Sequence, residues 1–123
     1  MKIIVHITTV DEWKKAVESG EYTASSLASE GFIHCSTIKQ CINTADLFFK
    51  GQHGLAILCI DQDKVKAEIR YEDPTGSGHD PIAGSLFPHI YGPINLNAVV
   101  SVADFPPNDD GTFSLPEGVQ KFI

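Results

Sequence analysis

Three of the five histidines stand where chemistry can be done: His6, His34 and His89. His6 and His34 share a local pattern. One runs His6-Ile7-Thr8-Thr9 and the other His34-Cys35-Ser36-Thr37, so each histidine lies three residues before a threonine suited to cap a helix. A helix start offers unpaired backbone N–H groups and the positive end of the helix dipole. A histidine and hydroxyls beside it, here Thr8 and Ser36, suit an anion or a phosphate group. His89 follows a glycine-rich stretch and precedes Tyr91-Gly92-Pro93. If the three strands are neighbours, the three imidazoles line one cleft. With an unperturbed pKa of about 6.5, each can hold or pass a proton near neutral pH.

Simpler readings of the same residues stand beside this one. His6 and His34 also read as hydrogen-bonded core residues, and Thr9 and Thr37 would cap helices in any fold. The three histidines could in principle hold zinc, but an HExxH-type spacing is absent and no metal is expected. Ser36 or Cys35 with a histidine makes a nucleophile scheme only if geometry assembles it. His34 and Cys35, adjacent in a strand, should face opposite sides. Tyr22 and Tyr91 flank loops and suit stacking on a flat ring, whereas Trp13 falls on an apolar helix face. Glu30 and Glu72 are candidate acids, with solvated surface carboxylates as the plainer reading.

The elements that must position these residues follow from periodicity. Residues 2–8 are rich in β-branched side chains and read as a strand. Thr9 with Glu12 opens a helix carrying Val10, Trp13 and Val17, which Gly20 stops. Residues 21–31 read as a polar loop and 32–35 as a second strand. Thr37 with Gln40 is another capping box; Ile38, Cys41, Ile42, Ala45, Phe48 and Phe49 then repeat at helical spacing up to Gly51. Residues 54–60 read as a fully buried strand, 66–72 as a half-exposed one, 73–88 as a long loop, and 89–91 and 97–102 as short strands. The order predicts an α+β fold.

With 123 residues, the chain is expected to form one domain over 1–123. It carries 16 acidic against 9 basic residues and a single arginine, Arg70. No basic stripe is present, which excludes extended nucleic acid as the expected partner. One phosphate in a local pocket remains compatible with that balance. Residues 81–103 lack charged side chains, but Pro81, Pro88 and Pro93 interrupt them, so no membrane span is expected. The sequence opens on a strand-like run without a cleavable signal pattern, making the cytoplasm the expected compartment. Cys35, Cys41 and Cys59 read as reduced thiols.

The segments VHITTVDEWKKAVESGEYTASSLASEGFIHCST, ILCID and FPHIYGPINLNAVV resemble a bacterial domain-of-unknown-function family, family 952, from His6 to about Phe105. The resemblance implies an ADP-ribosyltransferase-like fold: two small, mostly antiparallel sheets with two main helices, clasping an NAD-sized cleft. VHITT followed by FIHCS is also distantly similar to RNA 2'-phosphotransferases. On that likeness His6 would meet the NAD ribose, and His34 with Ser36 would form the second motif. The pattern departs at Ile7, where a glycine is expected, and in lacking the expected arginine and late glutamate; His89 occupies the latter region. The resemblance therefore implies a cleft for a small nucleotide-like or phosphorylated ligand, with NAD as the implied cofactor. His6, His34 and His89 would be catalytic, and Thr8, Ser36, Tyr91 and Gly92 would touch ligand. Either the protein is an NAD-dependent transferase or it binds ligand without the chemistry.

Overall fold

The computed structural model describes residues 1–73 and 86–123. In chain order the strands are β1 (Ile3–Thr9), β2 (Glu21–Tyr22), β3 (Ile33–His34), β4 (Ser36–Thr37), β5 (Leu55–Asp61), β6 (Ile69–Glu72), β7 (Phe87–Ile90), β8 (Ile94–Asn95) and β9 (Val99–Asp104). The helices are α1 (Val10–Ser19), α2 (Ser25–Glu30), α3 (Ile38–Phe48) and α4 (Glu117–Gln120).

The fold is α+β, with three antiparallel sheets where two were expected. The largest runs β4-β1-β5-β9. Its spine is the β1–β5 pair, in register from Ile3 opposite Asp61 to Thr9 opposite Leu55. Both faces of this pair are covered. Ile4, Leu58 and Ile60 pack with Tyr22, Ile33 and Ile90 on one side. Val5, Ile57 and Cys59 pack with Cys41, Ala45 and Phe105 on the other. Two-sided burial explains why Leu55–Ile60 reads as an unbroken apolar run rather than an alternating one. Strand alternation places His6 and Thr8 on the Ile4 side.

The helix starts form as their caps dictate. Thr9 Oγ1 accepts the Glu12 N–H at 3.1 Å, and Gly20, at φ 94°, ends α1 in the left-handed conformation. At α3 both halves of the capping box are made: Gln40 N–H donates to Thr37 Oγ1, and Thr37 N–H donates to Gln40 Oε1. α3 buries Cys41 and Ala45 but leaves Leu47 and Phe48 69% and 75% exposed, although Phe48 fits the apolar repeat. In α1 it is Ala16 that is buried; Val17 faces out.

Several boundaries differ from expectation. The supposed polar loop at 21–31 holds β2 and α2, too short for periodicity to reveal them. β6 starts at Ile69 and β7 at Phe87, and Leu96–Ala98 is a 3-10 turn preceding β9. Most of the loop expected at 73–88 lies outside the described residues. β3 belongs to the sheet β3-β7-β6 and β4 to the four-stranded sheet, so one residue, Cys35, carries the chain between them. Its N–H donates to the Pro88 carbonyl at 3.1 Å. Among the described residues no helix is long and apolar enough to cross a membrane.

Candidate functional site

β1 delivers His6 into a closed network. Its Nδ1–H donates to the His34 carbonyl at 2.5 Å, which leaves Nε2 without a hydrogen. The Tyr22 hydroxyl, 2.7 Å away, then donates to Nε2, and the Thr8 hydroxyl, 2.8 Å from the Tyr22 oxygen, donates to that oxygen in turn. His6, Tyr22 and Thr8 are all buried. Burial lowers the His6 pKa to about 4, against the pull of the His34 carbonyl, and raises the Tyr22 pKa to about 12. His6 is thus neutral at pH 7, with both ring nitrogens engaged by the protein. That occupies the atoms expected to meet a ribose. Tyr22 is a buried hydrogen-bond partner, not the stacking platform its loop position implied.

β3 and β7 set His34 directly opposite His89, with ring centroids 5.3 Å apart. The two rings differ in surroundings. His34 is partly exposed and lies 3.0 Å from Glu30 through Nε2. His89 is fully buried, stacked on Phe32 at 4.2 Å between centroids. Its Nδ1–H donates to Glu72 Oε1 at 3.0 Å, and the Tyr91 hydroxyl donates to the same oxygen. The Tyr91 hydrogen bond, then that of His89, holds the Glu72 carboxyl below its ordinary range. Burial holds His89 below the usual imidazole value, against the opposing pull of Glu72. A neutral ring whose Nδ1 carries the proton presents a bare lone pair at Nε2, and this buried atom has no hydrogen-bond partner among the described residues. Leaving such an acceptor unpaired costs on the order of 1–3 kcal/mol, so the site has room for one more donor.

His6, His34 and His89 line one cavity of about 740 Å³, together with Thr8 and Ser36. Five of the seven expected site residues therefore meet. Tyr91 and Gly92 do not line it. Tyr91 serves Glu72 from behind, with the Arg70 guanidinium 4.4 Å from its ring centroid. Gly92 is needed for packing, since a Cβ there would come within 2.9 Å of the Ala67 Cβ. Burial pushes the Cys35 thiol well up, which disfavours the thiolate a nucleophile requires. No group of three or more His, Cys, Asp or Glu suited to a metal occurs among the described residues.

The sequence reading missed the partnership of Glu72 with His89, as well as the wall that Leu47, Phe48 and Phe87 add to the cavity. Alternation along 66–72 puts Arg70 and Glu72 on one face, but only the β6–β7 register brings that face to His89.

The fold and site define a small α+β domain with a histidine-lined cavity where two antiparallel sheets meet. The chain belongs to the family of proteins of unknown function DUF952, which matches residues 7–102. It is similar to protein CC0527 from Caulobacter crescentus. The crystal structure of that protein shares 28% identity over 93% of this chain and 95% of that one, with a TM-score of 0.79. Its solution NMR structure shares 29% identity over 91% of each chain, with a TM-score of 0.74. No curated protein matches the chain.

Proposed function

We propose that the cavity is a small-molecule site in which His89 meets the ligand and Glu72 is its positioning residue. The observation that carries this reading is the buried Nε2 of His89, which has no partner among the described residues. A ligand O–H or N–H donates to that nitrogen. If the ligand proton is acidic enough, His89 takes it as a general base, and the Glu72 carboxylate stabilises the imidazolium that forms. A ribose hydroxyl is such a donor. The nucleotide reading therefore rests on the same atom, with an ADP-ribosyltransferase-like build and NAD as cofactor. A binding module without chemistry is the second reading, favoured by His6, whose ring nitrogens are both engaged by the protein.

The test has two parts. The ¹⁵N shifts of the His89 ring in the free protein should report the Nδ1-protonated neutral tautomer; a proton on Nε2 would overturn the reading. Thermal unfolding with adenosine, nicotinamide, NAD and ADP-ribose, each at millimolar concentration, then screens ligands. A ligand present at 100 times its Kd stabilises the fold by about 2.7 kcal/mol. His89→Phe keeps the stack on Phe32 and removes Nε2, so any ligand-induced rise in Tm should vanish in that variant. A rise that survives His89→Phe places the ligand elsewhere.

A further inference from the structure

The charge around the cavity narrows what it can hold. Apart from its histidines, the described residues lining it include one that is charged at neutral pH, Glu12, and no lysine or arginine is among them. Arg70, the chain's one arginine, lies over the Tyr91 ring and pairs with Glu68. Residues 74–85 contain no lysine or arginine in their sequence. The two helix starts that suggested an anion site are partly served from within the protein. Thr9 caps α1, whose first turn also carries Asp11 and Glu12. At α3 the Thr37–Gln40 box takes up the Gln40 and Thr37 N–H groups. The walls include Val5, Ile7, Leu55 and Phe87, and the exposed Leu47 and Phe48 stand at α3's end of the cavity. An anion placed here would lose its hydration without meeting a lysine or arginine. An apolar body with one donor head would bury its surface and satisfy Nε2.

From this we infer that the cavity takes a molecule with an apolar or aromatic body and a hydroxyl or amine head, neutral or positively charged, and excludes anions, phosphate esters included. This rests on the small-molecule reading of the cavity and sets the diphosphate of NAD aside.

The experiment compares three probes that share one ring system and differ in charge: tryptophol, tryptamine and indole-3-acetate, with ADP-ribose as a fourth arm. Each is titrated into the ¹⁵N-labelled protein at pH 7 and fixed salt, following the Ser36 and Thr44 amides and the His89 ring. Tryptophol and tryptamine should move these signals, and indole-3-acetate should bind at least tenfold more weakly. Asn43→Lys, an exposed substitution in the cavity lining, should narrow or reverse that preference. Indole-3-acetate or ADP-ribose binding at these signals as tightly as tryptophol would overturn the charge inference and leave the small-molecule reading standing. If none of the four moves the Ser36, Thr44 or His89 signals, the inference and the reading it rests on fall together.

Discussion

Protonating His6 would put a hydrogen on the nitrogen that now accepts from Tyr22, and so break a buried bond. The unfolded chain takes that proton near pH 6.5, whereas the folded chain resists it down to about 4. Between those values the unfolded state binds more protons, so stability rises with pH. The contribution is complete above pH 6.5, is lost as pH falls through the interval, and amounts to about 3 kcal/mol. His6→Gln should therefore be less stable than wild type at pH 7, by about 1–3 kcal/mol for the partners left unpaired. It should also show a flatter Tm between pH 6.5 and 4. His89 is lowered in the same direction, so the comparison is best made in the His89→Phe background. Equal slopes with and without His6 would show that this ring does not carry the acid sensitivity.

Among the elements, the two long helices begin with different completeness. Thr37 and Gln40 satisfy each other's backbone, whereas the Thr9 cap of α1 serves the Glu12 N–H. Thr37→Ala should cost about 1–2 kcal/mol and Thr9→Ala about 0.5–1 kcal/mol, both read from urea midpoints. A larger loss at Thr9 would show that the reciprocal bond at Gln40 adds nothing. These caps also explain what could be read in advance. Thr9, Thr37 and the apolar spacing behind them marked α1 and α3, and the unbroken run at Leu55 marked β5. α2 escaped notice because Ala24 precedes it and offers no side-chain cap. β2 and β8 pair over two residues each, too few to alternate. The site divides along the same line. The histidine–threonine junctions pointed to His6, His34, Thr8 and Ser36, since each lies next to a local signal. Glu72 was seen only as a lone carboxylate, because its meeting with His89 depends on strand register. Tyr91 and Gly92 were drawn to the ligand by sequence proximity to His89, yet Tyr91 faces Glu72 and Gly92 packs against Ala67.

In the whole molecule, the cavity draws its walls from two sheets that share one core, where Ile33 and Ile90 of the three-stranded sheet pack with Ile4, Leu58 and Ile60 of the four-stranded one. His6 and Thr8 come from the four-stranded sheet, and His34 and His89 from the three-stranded one. Two bonds tie these walls at one place: the His6 ring to the His34 carbonyl, and the Cys35 N–H to the Pro88 carbonyl. Cys35 itself is 4% exposed and is the one residue between β3 and β4.

A joint one residue long, tied on both sides, has little freedom to turn, and that bears on how fast a ligand is taken up. Walls that cannot swing leave no slow rearrangement before or after encounter, so capture is set by diffusion into the opening and by shedding water. The observed rate should then climb linearly with ligand concentration instead of levelling off. Relaxation dispersion on the Cys35 and Ser36 amides of the free protein should accordingly be flat on the millisecond scale; exchange there that a ligand quenches would show that the joint bends. With a fixed opening, selectivity resides in the equilibrium fit of the ligand, and residence time, rather than the rate of arrival, separates good ligands from poor ones.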